Sequence, residues 1–477
     1  LVVDKISYRV TYGDPAFKIT AKAGDTESGI QFASDNKEVA TVSKDGTVNI
    51  GNAGTAKITV SMDESQNYLA VSREVTVTVV PKEISAKITP NGGIYGEIIV
   101  PAAAALDGLV GKDNPEVTLT YTGRANDGTE VNGTKVPSLA GIYTVTATIK
   151  DKNYSLKTEG ASAAFIVAKA YPALSVSAVK DKKYGEEAFK LEVSNKGDGV
   201  KSYASSDNKV VTVDKNGVVT IVGAGTATLT VSLAETANYT ADQKEVTITV
   251  APKEITVKIT PNGGIYGGTI TPATAVLNGL VGKDNPEITL TYTGKANDGT
   301  EVNGTKVPSL AGTYIVTATI KDKNYSLRPE GSSAAFVVVK ADPALSVSAV
   351  KDKKYGEEAF KLEVSNKGNG VKTYASSNNK VVTVDKNGVV TIVGAGTATL
   401  TVSLAQSANH TADQKEVTMT VAPKEITVKI TPNGGTYEGT ITPATAVLDG
   451  LVGKDNPEIT LTYTGKANDG TEVNGTE

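Results

Sequence analysis

Cysteine and tryptophan are absent from this 477-residue chain, histidine occurs once, and phenylalanine is scarce at six. Without cysteine there can be neither disulfides nor thiolate metal ligands, so stability has to come from packing alone. Without a second histidine or any thiol, the familiar nucleophile and base pairs cannot be assembled. Long apolar runs are missing too: nothing approaches the roughly 18 residues of a spanning helix, so direct membrane insertion is not expected. Charge of one sign is not in excess either. With 48 basic against 52 acidic residues and a net charge of −4, the chain offers no electrostatic footprint for nucleic acid and no polybasic anchor for anionic lipid.

What the chain has is repetition. Pro-Lys-Glu-Ile opens at Pro81 and returns at Pro252 and Pro423, a period of 171 residues. Residues 252–306 differ from 423–477 only at Ile265/Thr436, Gly267/Glu438, Asn278/Asp449 and Lys306/Glu477. A period of this kind marks an array. Each period holds two dissimilar halves, which predicts six modules in alternating order. Those of the first type are 1–80, 170–251 and 341–422. Those of the second type are 81–169, 252–340 and 423–477, the last truncated. A complete module of roughly 80 to 90 residues suffices for one modest core. The chain begins Leu1-Val2-Val3 with neither methionine nor a signal pattern, and stops at Glu477 before a counterpart of the segment 308–325. It therefore reads as a mature piece or an excerpt, and the last module is expected to leave a sheet edge and a core face open.

Strict alternation dominates locally. Ala227, Leu229, Val231 and Leu233 alternate with Thr226, Thr228, Thr230 and Ser232, and Tyr314, Val316, Ala318 and Ile320 alternate with Ile315, Thr317 and Thr319. A period of two predicts strands with one buried and one wet face. Asp214-Lys215-Asn216-Gly217, Asn297-Asp298-Gly299 and Asn303-Gly304 supply turn chemistry, with Asn-Gly suited to positive φ. Short strands between such turns, with no helical period, predict an antiparallel sandwich for each module. The joints, such as Val79-Val80-Pro81 and Lys340-Ala341-Asp342-Pro343, are short and contain proline, which stiffens them. The expected fold is thus all-β: a tandem array of immunoglobulin-like β-sandwich modules in an elongated rod.

Tyr184-Gly185, Ala204-Ser205-Ser206-Asp207-Asn208, Val211-Thr212-Val213 and Gly223-Ala224-Gly225-Thr226-Ala227 give the first module type its character. It resembles the group 2 bacterial immunoglobulin-like domain. The second type, with Pro308-Ser309-Leu310-Ala311-Gly312-Thr313-Tyr314 and Lys323-Asn324-Tyr325, is similar to related modules found beside such domains in large surface proteins. Gly312-Thr313-Tyr314 has the spacing of an immunoglobulin tyrosine corner, and Val316 stands where an antibody domain has its second cysteine. Tyr143 and Val145 occupy the matching places one period earlier, while Ala227 replaces the tyrosine in the first type.

The resemblance implies a structural stalk segment of a bacterial adhesin, located outside the cell on its surface or wall, that projects a binding domain as an elongated monomer. Two alternatives stay open. The repeats themselves could bind a host surface glycoprotein, immunoglobulin or glycan multivalently, or the chain could be a surface-layer or filament subunit. No catalytic, cofactor or metal site is expected. His410 has Tyr239 and Tyr68 as counterparts, which fits a tolerated surface change. Acidic turns such as Lys283-Asp284-Asn285-Pro286-Glu287 interleave lysine with carboxylate, so they read as solvated turns rather than calcium loops. No lysine, asparagine and acid triad is nominated for an isopeptide crosslink. The candidate ligand-binding residues are Tyr154, Tyr239 and Tyr325 at module tips, where a ring could meet a sugar or protein or could close the end of a sandwich.

Overall fold

Alternating segments become strands throughout the computed structural model, which describes residues 1–24 and 29–476. Glu477, the expected stop of the last module, lies outside the described residues. Among the described residues there is no helix, and hence none long and apolar enough to cross a membrane. The chain divides into two compact units, Leu1–Ala251 and Pro252–Glu477.

In the first unit, segments 1–80 and 170–251 share one plan. In 1–80 a four-stranded sheet runs Ser7–Thr11, Val71–Val80, Gly54–Met62, Ile30–Ser34, and faces a three-stranded sheet of Phe17–Lys18, Thr47–Ile50 and Ala40–Val42. Val48, Ala56, Ile58, Val60, Val75 and Val77 close the core between them. In 170–251 the same role falls to Val211, Val219, Leu229, Val231 and Ile248. Ala227, Leu229, Val231 and Leu233 are buried while the intervening threonines face outward, as the period of two requires.

Segment 81–169 is built differently. A three-stranded sheet of Ala103–Asp107, Lys82–Thr89 and Tyr154–Leu156 packs on a five-stranded sheet ordered Gly93–Ile94, Ser162–Ala168, Gly141–Ile149, Val117–Ala125, Glu130–Gly133. Tyr121, Tyr143 and Phe165 form its aromatic centre, with ring centroids 5.9 and 5.7 Å apart. Tyr143 donates its hydroxyl to the Leu139 carbonyl at 2.8 Å, a tyrosine corner reaching four residues back, and Val145 is fully buried beside it. Gly141 has no room for a side chain: an added Cβ would lie 2.8 Å from Ala125 Cα and 2.9 Å from the Tyr143 hydroxyl.

In the second unit, 252–340 repeats the second plan, down to the Tyr314 hydroxyl on the Leu310 carbonyl at 2.8 Å. Segment 341–422 repeats the first. Residues 423–476 carry two two-stranded sheets, Thr427–Thr431 with Thr445–Asp449 and Thr462–Lys466 with Glu472–Thr476. Their core face is open: Tyr463 is 37% exposed, against 2% for Tyr292 one period earlier.

Two expectations need correction. The sandwiches are mixed rather than purely antiparallel, because Ser7–Thr11 runs parallel to Val71–Val80, Tyr154–Leu156 parallel to Lys82–Thr89, and Gly93–Ile94 parallel to Ser162–Ala168. After Thr89 the chain crosses from one sheet to the other, so its continuation lies beside the last strand in the same direction. Asn303-Gly304 is no turn: Asn303 pairs with Thr293 and Gly304 with Tyr292 inside a strand. The turn at Asp214–Gly217 does form, with only Gly217 at positive φ. The Asp214 carboxylate accepts from the Asn216 and Val218 amides, both at 2.8 Å, and so closes the loop.

The alternation sets a test. Leu229→Ala should cost about 2–5 kcal/mol of local stability through the cavity it leaves, whereas Thr226→Ala on the wet face should stay within about 0.5 kcal/mol. Denaturant unfolding of the two variants measures both, and equal losses would contradict the assignment of faces.

Candidate functional site

Polar chemistry concentrates at the tips of the sandwiches, where one segment meets the next. Asn153 is the only polar residue buried among the described residues. An Asx turn shapes its loop, with the Asp151 carboxylate accepting from the Asn153 amide at 2.8 Å. From there Asn153 works in both directions. Its main-chain carbonyl accepts from Lys82, the first residue after the proline joint, at 2.8 Å. Its side-chain Oδ1 accepts from the buried Ala53 amide of the preceding segment at 2.7 Å, and its Nδ2 donates to Asn52 Oδ1 at 2.9 Å. A buried N–H without a partner costs about 1–3 kcal/mol, so this carbonyl oxygen is held to its place.

An aromatic and acidic group flanks the clamp. Tyr12 donates to Asp113 Oδ2 at 2.8 Å across the joint, Tyr154 donates to the same oxygen, and the two rings meet edge to face at 5.4 Å. Gly13, at φ +83°, lies under Val110, and an added Cβ would come within 2.4 Å of it. The two phenol hydrogen bonds, that of Tyr154 first, hold the Asp113 carboxyl below the usual range. The bond to Asp113, with burial second, pushes Tyr12 up to about 12. Burial and then Asp113 raise Tyr154. In the second unit Tyr355 donates to Asp455 at 2.8 Å and Gly356 lies under Val452, repeating the pattern.

The other kind of joint uses the same asparagine device. Asn238 accepts the Ala170 amide on its main-chain carbonyl at 2.9 Å and the Ala140 amide on Oδ1 at 3.0 Å. Asn126 Nδ2 donates back to the Ala237 carbonyl at 3.1 Å. Lys169 donates to Glu235 and, at 2.7 Å, to the Thr236 carbonyl. Tyr239 sets its ring edge to face on Tyr95 at 5.4 Å. The second unit reproduces this with Ala311 on Asn409 at 2.9 Å, Asn297 on the Ala408 carbonyl at 3.1 Å, Lys340 on Gln406 at 3.0 Å and Tyr266 against His410 at 5.3 Å. The tyrosine corner matters here: by tethering the Leu139 carbonyl it fixes the strand start that presents the Ala140 amide.

These contacts place the tip tyrosines. Tyr154 and Tyr325 are buried, each receiving a backbone amide on its hydroxyl, from Val110 at 3.0 Å and Val281 at 2.9 Å. Neither presents a ring to a ligand. Tyr239 is half-buried in its joint. His410 corrects its reading as a surface change: its ring packs in the joint because the tip docks, and its buried Nδ1 has no hydrogen-bond partner among the described residues. The acidic turns are likewise not all merely solvated, since Asp113 and Asp284 accept tyrosine hydroxyls. Among the described residues no three acidic or imidazole side chains converge as a metal site would require. Sequence reasoning missed Asn52, Asn126, Asp113 and Lys169, although the Asn-Tyr pair recurring in both halves of the period was a usable signal.

Asn153→Ala should cost about 1–3 kcal/mol by stranding the Ala53 amide. Faster hydrogen exchange at Ala53 measures this, and an unchanged rate would contradict the clamp. The tyrosine group also sets a pH window. The lowered Asp113 contributes stability above the ordinary carboxylate value of about 3.9 that is lost as pH falls through its folded value. The raised Tyr12 contributes stability below the ordinary phenol value of about 10 that is lost as pH rises through about 12. Carbon NMR titration of labelled tyrosine should show Tyr12 moving back toward about 10 in Asp113→Asn, and no movement would contradict the assignment.

Known families match in the same places. Residues 184–235 and 355–406 match the intimin immunoglobulin-like domain, 16–71 the bacterial Ig-like domain (group 2), and 112–171 and 264–342 the MBG domain. All three are structural domain families rather than enzymes. No curated protein matches the chain. Among solved structures, Drosophila N-cadherin EC1-3 is 13% identical, with a TM-score of 0.20 over 52% of this chain and 99% of that one. Surface layer protein SbsC, domains 1-6, is 15% identical, with a TM-score of 0.19 over 100% of this chain and 62% of that one. The assignment rests on the matched domains and the sandwich geometry, not on these superpositions. The chain is a tandem array of bacterial immunoglobulin-like domains of the group 2, intimin and MBG kinds.

Proposed function

We propose that this chain is a stalk segment that holds a binding domain of the adhesin away from the bacterial envelope. The division into six modules at 1–80, 81–169, 170–251, 252–340, 341–422 and 423–477 is part of the proposal. One observation carries it: the asparagine clamp recurs with the same partners at Ala140–Asn238 and Ala311–Asn409, 3.0 and 2.9 Å. A sequence that repeats its joints as faithfully as its cores is one in which the spacing and angle between modules matter. Proline at each joint supports the same reading, since it removes backbone freedom where a flexible linker would have glycine and serine. At about 3.3 Å per strand residue each module spans some 35 Å. Alternation of two module types keeps near-identical neighbours apart, which reduces interdomain misassembly.

Small-angle scattering tests the reading. Deleting one 171-residue period should shorten the longest dimension by about 70 Å, two modules at the strand rise used above. A dimension unchanged by the deletion would contradict it.

A further inference from the structure

The first segment carries a tip with the residues its siblings use for docking and, among the described residues, nothing docked on it. Glu64-Ser65-Gln66-Asn67-Tyr68 stands one period before Glu235-Thr236-Ala237-Asn238-Tyr239 and two before Gln406-Ser407-Ala408-Asn409-His410. One backbone bond closes the loop in all three. Ser65 donates to the Tyr68 carbonyl at 2.9 Å, Thr236 to Tyr239 at 3.0 Å and Ser407 to His410 at 3.0 Å. Yet Tyr68 is 73% and Leu69 85% exposed, and Asn67 has no hydrogen-bond partner among the described residues.

We propose that Glu64–Leu69 is a preformed docking tip whose partner is an immunoglobulin-like module of the second type, presenting a Leu-Ala-Gly-x-Tyr corner. The two seated tips define what that partner must bring. Asn67 Oδ1 takes the alanine amide ahead of the corner glycine, as Asn238 and Asn409 do from Ala140 and Ala311. The Gln66 carbonyl accepts from an asparagine amide, as Ala237 and Ala408 do from Asn126 and Asn297. Tyr68 lies edge to face on a tyrosine, as Tyr239 does on Tyr95. Glu64 meets a lysine in the manner of Glu235 with Lys169. The match is thus one of charge, hydrogen bonding and ring geometry together. A sugar or an unrelated peptide would satisfy only part of it. The inference does not depend on the stalk reading, because a docking tip could serve a module in any arrangement.

Two experiments on the full chain decide it. Thr236→Ser, Ala237→Gln and Thr240→Leu together give the Asn238 tip the sequence of residues 64–69. Hydrogen exchange at Ala140 should then stay within about threefold of the parent, whereas Asn238→Ala should speed it by about tenfold or more. A comparable loss in the triple variant overturns the proposal. In the second, the chain is extended before Leu1 by another copy of residues 81–171. The copied Ala140 amide should exchange as slowly as Ala140 itself, and Asn67→Ala should release it by about tenfold. Release that does not follow Asn67→Ala overturns the proposal. If the copied Val145 amide shows that the added module is unfolded, the first experiment alone decides. Protection of Tyr68 in the unextended chain that grows with protein concentration and persists in Asn67→Ala would show an occupant that does not use the asparagine, and would overturn the assignment too.

Discussion

An asparagine that accepts one backbone N–H on its main-chain carbonyl and another on its side chain is the constraint on which the rest of this structure depends. The first bond comes from the residue that leaves the joint, the second from the segment before it, as in Lys82 and Ala53 on Asn153 or Ala170 and Ala140 on Asn238. Each bond alone is worth about 0.5–1.5 kcal/mol. Because the first ties the asparagine to the start of its own segment and the second crosses the joint, swinging the preceding segment breaks the second and strands a backbone amide. Proline limits the joint's own dihedrals; the clamp chooses the orientation that remains.

The sandwich and the joint are one construction. In the second segment type the tyrosine corner tethers the Leu139 carbonyl, which sets the start of Gly141–Ile149, and that strand start presents the amide that Asn238 receives. Gly141 admits the corner because a Cβ there would collide with Ala125 and the tyrosine hydroxyl. Core packing therefore decides joint geometry, and a chain without cysteine or tryptophan can repeat both with aliphatic residues, tyrosine, phenylalanine and hydrogen bonds. The same logic explains how the joints tolerate His410 for Tyr239. The ring position is kept, edge to face on Tyr266, while the asparagine before it carries the polar contacts.

Much of the fold was legible because it is local. Threonine alternating with Ala227, Leu229 and Val231 gives the strand and its buried face, and Gly-x-Tyr gives a corner that closes over four residues. The parallel pairings were not legible: strands as short as Gly93–Ile94 carry no periodicity, and their direction follows from the chain crossing between sheets. The joints were hidden for a related reason. Asn153 and Ala53 are a hundred residues apart, as are Tyr12 and Asp113 within one residue, and no local pattern links such partners. Asp284 looked like any solvated turn residue because its partner, Tyr325, lies 41 positions on. The tip tyrosines were singled out for their rings, whereas the asparagines beside Tyr154 and Tyr239 make the joints.

Nitrogen relaxation of the backbone amides in the intact chain tests the clamp most directly. If it fixes neighbouring segments, the strands Gly54–Met62, Gly141–Ile149 and Gly225–Leu233 of the first unit must share a single rotational diffusion tensor. Asn153→Ala and Asn238→Ala should each separate them. Independent tumbling in the unaltered chain, with each segment showing the correlation time of a free domain of roughly 80 to 90 residues, would contradict the account.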